Sequence, residues 1–196
     1  MKILSVNVGR AAELFVPQSE RMRRIVSGIR KHAVDGPVQV RRLGLDGDEQ
    51  ADLTVHGGLV KAVYAYPSEH YPFWQDRRAD VFKQEEVLPP GTMGENLTLA
   101  GLLETETWVG DRLHAGSVIL QVTEPRQPCF KFNARMGFSH ASKLMLQSGF
   151  TGFYLRVIQE GELRADDPVR LEPGPRQTSI AQLSEQRRKG RQRDLF

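Results

Sequence analysis

Short runs of alternating apolar and polar residues, separated by glycine and proline turns, constrain the fold of this chain more than any other feature. The clearest runs are 4–8, 38–41, 118–123, 153–158 and 169–172. A period of two is typical of strands that bury one face. Because the runs lack long strand–helix–strand spacing, they predict a β-rich, mixed α/β fold. The expected architecture is a β-barrel with a few peripheral helices, and not a doubly wound sheet.

A helix is expected at 67–75, between two of the turn-rich stretches. Ser68 is the candidate N-cap, and Pro72 then falls in the first turn, where a missing N–H is tolerated. Tyr71 and Trp74 would lie on one face of this helix. These aromatic residues, with Tyr64 beside them, are expected to pack in the core and on the surface and not to form a stacking platform.

A second helix is expected at 139–147, with Ser139 as cap and Gly149 as stop. The segment 176–196 reads as a basic tail, separate from a domain at 1–175. Residues 178–183 could start a helix there, and the remainder would be frayed or disordered.

Composition narrows the class of protein. The 196 residues suffice for one domain with a buried core. With one cysteine no intramolecular disulfide can form, which favours a reducing compartment. The apolar run at the N-terminus is broken by Ser5 and Asn7, and no stretch approaches the ~18 apolar residues of a membrane span. We therefore expect a cytoplasmic protein without membrane contact.

The first cluster with chemical potential is His56, Gly57, Gly58 and Lys61, preceded by an acidic loop at 44–52. Paired glycines let a ligand approach the backbone closely, and a lysine offsets the charge of an anionic ligand. The alternatives are that His56 belongs to a simple turn and that the acidic residues form a solvated loop.

Two further clusters are 93–97, with Glu95 and Asn96, and 123–129, which ends at Cys129. Prolines on both sides of Arg126 stiffen the second loop, so it presents the thiol in a defined direction. Arg126 favours the thiolate, which is the form that binds soft metals. The alternatives are an inert buried cysteine and an asparagine that only caps a turn.

The chain lacks several standard sequence motifs for metal and nucleotide binding. It has no HExxH or paired CxxC motif for zinc, no glycine-rich phosphate loop and no dinucleotide-binding fingerprint. Its net charge is +3, and five basic residues are concentrated in 186–195. Nucleic-acid binding through this tail is therefore a minor alternative, because the rest of the chain is close to neutral.

In their order along the chain, the clusters resemble the MOSC domain family, and within it the YiiM-like branch. The similarity runs from about residue 43 to 173. The matching motifs are Gly44-Leu45-Asp46-Gly47-Asp48-Glu49-Gln50, Val55-His56-Gly57-Gly58, Ala65-Tyr66-Pro67 with His70, Tyr71 and Trp74, Gly94-Glu95-Asn96-Leu97, Val109-Gly110-Asp111, and Pro125-Arg126-Gln127-Pro128-Cys129 with Lys131.

The resemblance implies a protein that carries the molybdenum cofactor, with Cys129 as the ligand to the metal. It also implies an enzyme that reduces N-hydroxylated bases such as 6-hydroxylaminopurine, passing oxygen to molybdenum. Electrons would return from a separate flavin or iron–sulfur reductase. His56 is the candidate for proton delivery. The candidate cofactor-binding residues are Gly57, Gly58, Lys61, Glu95, Asn96 and Arg126.

The chain departs from the family pattern at Leu59 and Val60, where relatives often have Pro-Asp, and at Glu124, where they often have glutamine. The branch also has a longer C-terminal helical region. The alternative function is a non-catalytic carrier of the cofactor or of sulfur. A homodimer is one option for the assembly.

Overall fold

The computed structural model of the protein describes residues 1–18, 21–51 and 57–193. The strands in this part of the chain are β1 (Lys2–Val8), β2 (Ala12–Gln18), β3 (Arg21–Ser27), β4 (His32–Ala33), β5 (Val38–Arg41), β6 (Gly44–Leu45), β7 (Val63–Pro67), β8 (Leu97–Ala100), β9 (Arg112–Ala115), β10 (Val118–Pro125), β11 (Phe153–Gln159), β12 (Gly161–Leu163) and β13 (Arg170–Glu172). The α-helices are α1 (Tyr71–Phe82), α2 (Phe130–Met136), α3 (Ala141–Ser148) and α4 (Ile180–Arg193).

The main sheet has the strand order β13-β9-β10-β11-β7-β8-β1-β4 and curls into a half-barrel. Its pairs are antiparallel except β7–β8, which are parallel and joined through α1. The segment 166–169, just before β13, bonds back to the start of β1: the Ile3 amide donates to the Asp167 carbonyl at 3.0 Å. The two ends of the curled sheet therefore approach each other, and the predicted β-rich fold class is confirmed.

The five predicted strands coincide with β1, β5, β10, β11 and β13. In β1, however, the register against β8 shifts between Ile3 and Ser5. Leu4 is exposed there, whereas Ser5 and Asn7 are buried together with Val6. The predicted alternation is wrong in this strand, because both faces of its second half are covered and the polar side chains bond each other, Ser5 Oγ donating to Asn7 Oδ1 at 2.8 Å.

A core rich in aromatic residues fills the space between β7 and helices α1, α2 and α3. Tyr71 and Trp74 are buried on one face of α1, as predicted. The ring of Phe132, on α2, meets the Trp74 ring edge-on with 5.3 Å between centroids. Ser68 is not the N-cap of α1: it lies in a 3-10 turn, and α1 begins at Tyr71 without a side-chain cap.

The other predicted helix is α3, which stops at Gly149 as expected. Its cap position is His140 and not Ser139, again without a side-chain hydrogen bond. Helix α4 continues through 193, well past the predicted start at 178–183. The Ser179 hydroxyl accepts a hydrogen bond from the Gln182 amide at 3.1 Å and caps this helix. Within the described ranges, no helix is long and apolar enough to cross a bilayer.

A buried carboxylate connects loops that are far apart in sequence. Asp48 Oδ1 accepts hydrogen bonds from the Gly9 amide at 2.9 Å and from the Lys31 ammonium. Asp48 Oδ2 accepts from Asn96 Nδ2 at 2.9 Å, while Asn96 Oδ1 accepts from the Tyr64 amide at 3.1 Å. We call Lys31, Asp48 and Asn96 the Asp48 cluster. The expectation of a solvated acidic loop is wrong for Asp48, whose side chain is 3% exposed.

The aromatic core gives a first prediction about stability. Phe132→Ala should lower the free energy of unfolding by about 3–5 kcal/mol, because it removes a fully buried ring and leaves a cavity beside Trp74. Phe130→Ala, on the same helix but 52% exposed, is the matched control and should cost less than about 1 kcal/mol. Urea unfolding checks both, and equal losses would contradict the packing described.

The Asp48 cluster gives a second prediction. Asp48→Asn should destabilise the fold by about 3–5 kcal/mol, because it leaves the buried Lys31 ammonium without its counter-charge. Asp46→Asn is the matched control from the same loop: Asp46 pairs with Arg41 on the surface, so urea unfolding should barely change. If Asp48→Asn unfolds at the wild-type urea concentration, the cluster does not hold the fold together.

Candidate functional site

Two adjoining cavities open beside Cys129. The inner cavity, which contacts the Asp48 cluster, has a volume of about 90 Å³. The outer cavity, which contacts Arg23 and Phe130, has a volume of about 790 Å³. Lys61, Cys129, Lys131 and Tyr154 line both. A group attached to the thiol would therefore lie where the two cavities meet.

Cys129 lies between β10 and α2, at the end of the loop 126–128. Its backbone is extended, and the residue is partly exposed. The loop entering it is fixed at both ends, since the Arg126 amide donates to the Gly152 carbonyl at 3.3 Å and the Cys129 carbonyl accepts from the Phe132 amide at 2.9 Å. The alternative of a fully buried, inert thiol does not fit this exposure.

Arg126 provides a fixed positive charge at the wall of the inner cavity. Its guanidinium lies 4.8 Å from the centroid of the Tyr64 ring and 5.0 Å from that of Phe132. It also donates to the Met93 carbonyl and, at 3.2 Å, to the Tyr64 hydroxyl. Stacking and hydrogen bonds together offset the cost of burying the guanidinium, which stays charged at any physiological pH.

Lys31 is a site residue that none of the sequence clusters contained. It lines the inner cavity, where burial lowers the pKa of its ammonium and the Asp48 carboxylate opposes that shift. Its position depends on Asp48, and no local motif around residue 31 indicates this contact. The only sequence feature that bears on Lys31 is the acidic loop 44–52. Once the fold shows that Asp48 in this loop is buried, a buried cation is needed to balance its charge.

Lys61 lies at the boundary of the two cavities and contacts Glu124. The Lys61 ammonium is 3.5 Å from Glu124 Oε1 and 5.9 Å from the centroid of the Tyr154 ring. The Arg187 guanidinium, on α4, lies 2.6 Å from Glu124 Oε2 and so ties that helix to the end of β10. Glu124 thus serves two cations at a position where relatives were expected to have glutamine.

The structure brings four of the predicted site residues together: Lys61, Asn96, Arg126 and Cys129 all line the inner cavity. Asn96 belongs to the Asp48 cluster, so its hydrogen bonds stabilise the wall of the inner cavity and its side chain is also part of the surface that a ligand would contact. The simple turn-cap alternative for Asn96 therefore understates its contacts. Whether these four bind a cofactor stays a prediction at this point.

The other predicted residues lie elsewhere. Gly57 and Gly58 are not among the residues that line either cavity, and the Gly58 amide donates to Gln50 Oε1 at 3.2 Å. Glu95 is fully buried; its Oε1 accepts from the Tyr71 hydroxyl and, at 2.8 Å, from the Gly91 amide. His56 lies outside the described residues.

The donor set at the cavities suits one kind of metal site. Across residues 1–18, 21–51 and 57–193, no group of three or more His, Cys, Asp or Glu side chains could hold a metal ion. Cys129 is thus a single soft ligand in a cavity wall that also contains Lys61, Arg126 and Lys131. Such a wall fits a metal that brings its remaining ligands on an anionic organic cofactor, and it does not fit a structural zinc site.

Comparison with known proteins places the chain in a family. The model of the MOSC domain family matches residues 52–170. Protein YiiM of Escherichia coli is 39% identical over 145 residues, which cover 74% of this chain and 63% of YiiM. A protein of Gibberella moniliformis named Reductase is 36% identical over 148 residues, which cover 75% of this chain and 26% of that protein.

A solved structure shows the same architecture. The crystal structure of YiiM from Geobacillus stearothermophilus aligns with a TM-score of 0.76 and 34% identity, covering 97% of this chain and 85% of that one. The chain spans less than two thirds of the length of E. coli YiiM and about a quarter of the fungal protein. Sequence and fold agree, and the chain belongs to the MOSC domain family as a YiiM-like member.

Proposed function

We propose that this protein binds the molybdenum cofactor at the two cavities, with Cys129 as the ligand to the metal, and reduces N-hydroxylated compounds. The observation that carries the proposal is the position of Cys129. A partly exposed thiol, the only one in the chain, lies on the wall shared by two cavities, and basic side chains line the same wall.

The chemistry of the wall supports this proposal. Thiolate sulfur is a soft ligand that suits a metal already bound by sulfur. Lys61 and Arg126 line the inner cavity and can offset the charge of the pterin phosphate. Arg126 is held by two rings and two acceptors, so its planar group is oriented before any ligand arrives.

The proposed reaction balances as a two-electron reduction. An R–NHOH substrate takes up two electrons and two protons and gives R–NH2 and water, with the N–O bond broken. When bound, the cofactor supplies this two-electron chemistry. A separate flavin or iron–sulfur reductase supplies the electrons. We assign proton delivery to His56, because an imidazole is the side chain best suited to give up and take up a proton near neutral pH. The fungal relative named Reductase is consistent with this class of reaction.

The experiment that tests the proposal is elemental and pterin analysis of the protein made in a host that synthesises the cofactor. Wild type should retain close to one molybdenum and one pterin per chain. Cys129→Ala and Cys129→Ser should each bind molybdenum at least about tenfold more weakly and so lose most of it. The reason is that even changes to residues around a metal ligand typically lower metal affinity about tenfold or more. Ser139→Ala, an exposed change beyond α2, is the control and should retain the metal.

Three outcomes would contradict parts of the proposal. Equal molybdenum in wild type and both cysteine variants would remove Cys129 as the ligand. A folded wild type with neither molybdenum nor pterin would remove cofactor binding altogether. A loaded wild type that does not reduce N-hydroxylated substrates with a chemical electron donor would leave a carrier and not an enzyme.

A further inference from the structure

The outer cavity has a strongly basic wall. Its basic residues come from separate elements: Arg23 from β3, Lys61 from the turn before β7, Lys131 from α2 and Arg187 from α4. Among the described residues that line it, the sole carboxylate is Glu124. Arginines and lysines brought together from distant parts of the chain create a positive potential at the opening to Cys129.

Glu124 does not neutralise this wall. Its two oxygens face Lys61 at 3.5 Å and Arg187 at 2.6 Å. Arg23 and Lys131 form no ion pair with any residue in the part of the chain that the structure describes. These two cations therefore have charge and hydrogen-bonding capacity to offer to a ligand.

The same cavity also has an apolar side. Val26 is 56% exposed and Phe130 is 52% exposed, while Ile25 and Tyr154 complete the surface. Exposed apolar side chains at the edge of a cavity bury well against a flat ring. Next to the cations on β3 and α2, they give the cavity both apolar and anion-binding surface.

We infer that the part of the outer cavity between Arg23, Phe130 and Lys131, beside the cofactor that Cys129 would hold, takes substrates in which a flat ring carries an anionic group, as in a nucleoside monophosphate with an N-hydroxylated base. Arg23 and Lys131 hold the phosphate, and the ring lies against Phe130 and Val26 towards Cys129. Reduction of such a substrate rests on the proposed function, whereas its binding in the outer cavity does not. A phosphate could also belong to the cofactor itself, and the test below separates these two sources.

The test is calorimetric titration of the protein, purified from a cofactor-producing host, with adenosine 5′-monophosphate, adenosine and inorganic phosphate as probes. The monophosphate should bind at least about tenfold more tightly than adenosine, because charge-assisted hydrogen bonds form only with the phosphate. Inorganic phosphate should bind weakly, since it leaves the apolar side uncovered.

Variants assign the effect to the two cations. Arg23→Gln and Lys131→Gln should each weaken binding of the monophosphate about tenfold and leave adenosine unchanged. Arg24→Gln is the matched control: Arg24 is the next residue on β3, is not among the residues that line the outer cavity and pairs with Glu13 at 2.8 Å. It should bind the monophosphate as wild type does.

Equal affinity of wild type for the monophosphate and adenosine would overturn the inference. Loss of pterin and molybdenum from the Arg23→Gln protein would also overturn it, because the cations would then hold the cofactor. A wild type that contains no molybdenum but still prefers the monophosphate would support the inference while contradicting the proposed function.

Discussion

The buried pair of Asp48 and Lys31 is the contact on which the inner wall of the site depends. Removing two charges from water is costly, and their attraction offsets that cost only when further hydrogen bonds satisfy both groups. Asp48 has those bonds, from the Gly9 amide and from Asn96. Because they reach the loops after β1 and before β8, one carboxylate fixes the relative positions of loops that could otherwise move independently.

The position of Cys129 depends on Arg126. Its guanidinium packs between the Tyr64 and Phe132 rings, so the loop that leads to Cys129 is anchored to both β7 and α2. The Asp48 cluster and Arg126 meet at Tyr64, whose amide bonds Asn96 and whose hydroxyl bonds Arg126. The thiol is therefore presented by a rigid frame, which favours ligand binding without loop rearrangement.

Much of the sheet was predictable, because strands such as β10 bury one face and leave a clear alternation of apolar residues. The β2–β3 hairpin was not predicted, since Pro17 argues against a strand and Arg23-Arg24 breaks the alternation. Lys61, Asn96, Arg126 and Cys129 could be proposed from the sequence because each lies in a compact motif, and the structure places all four at the inner cavity. Lys31 was missed because only tertiary structure distinguishes the buried Asp48 from the exposed Asp46 in the same acidic loop.

X-ray absorption at the molybdenum edge tests most directly whether Cys129 sulfur is a ligand to the metal of a bound molybdenum cofactor. The spectrum counts the sulfur neighbours of the metal in the loaded protein. We expect one sulfur neighbour fewer in whatever molybdenum the Cys129→Ser protein retains, with oxygen or nitrogen in its place. An unchanged sulfur count in that variant would contradict the assignment, because the metal would then be held without the thiol.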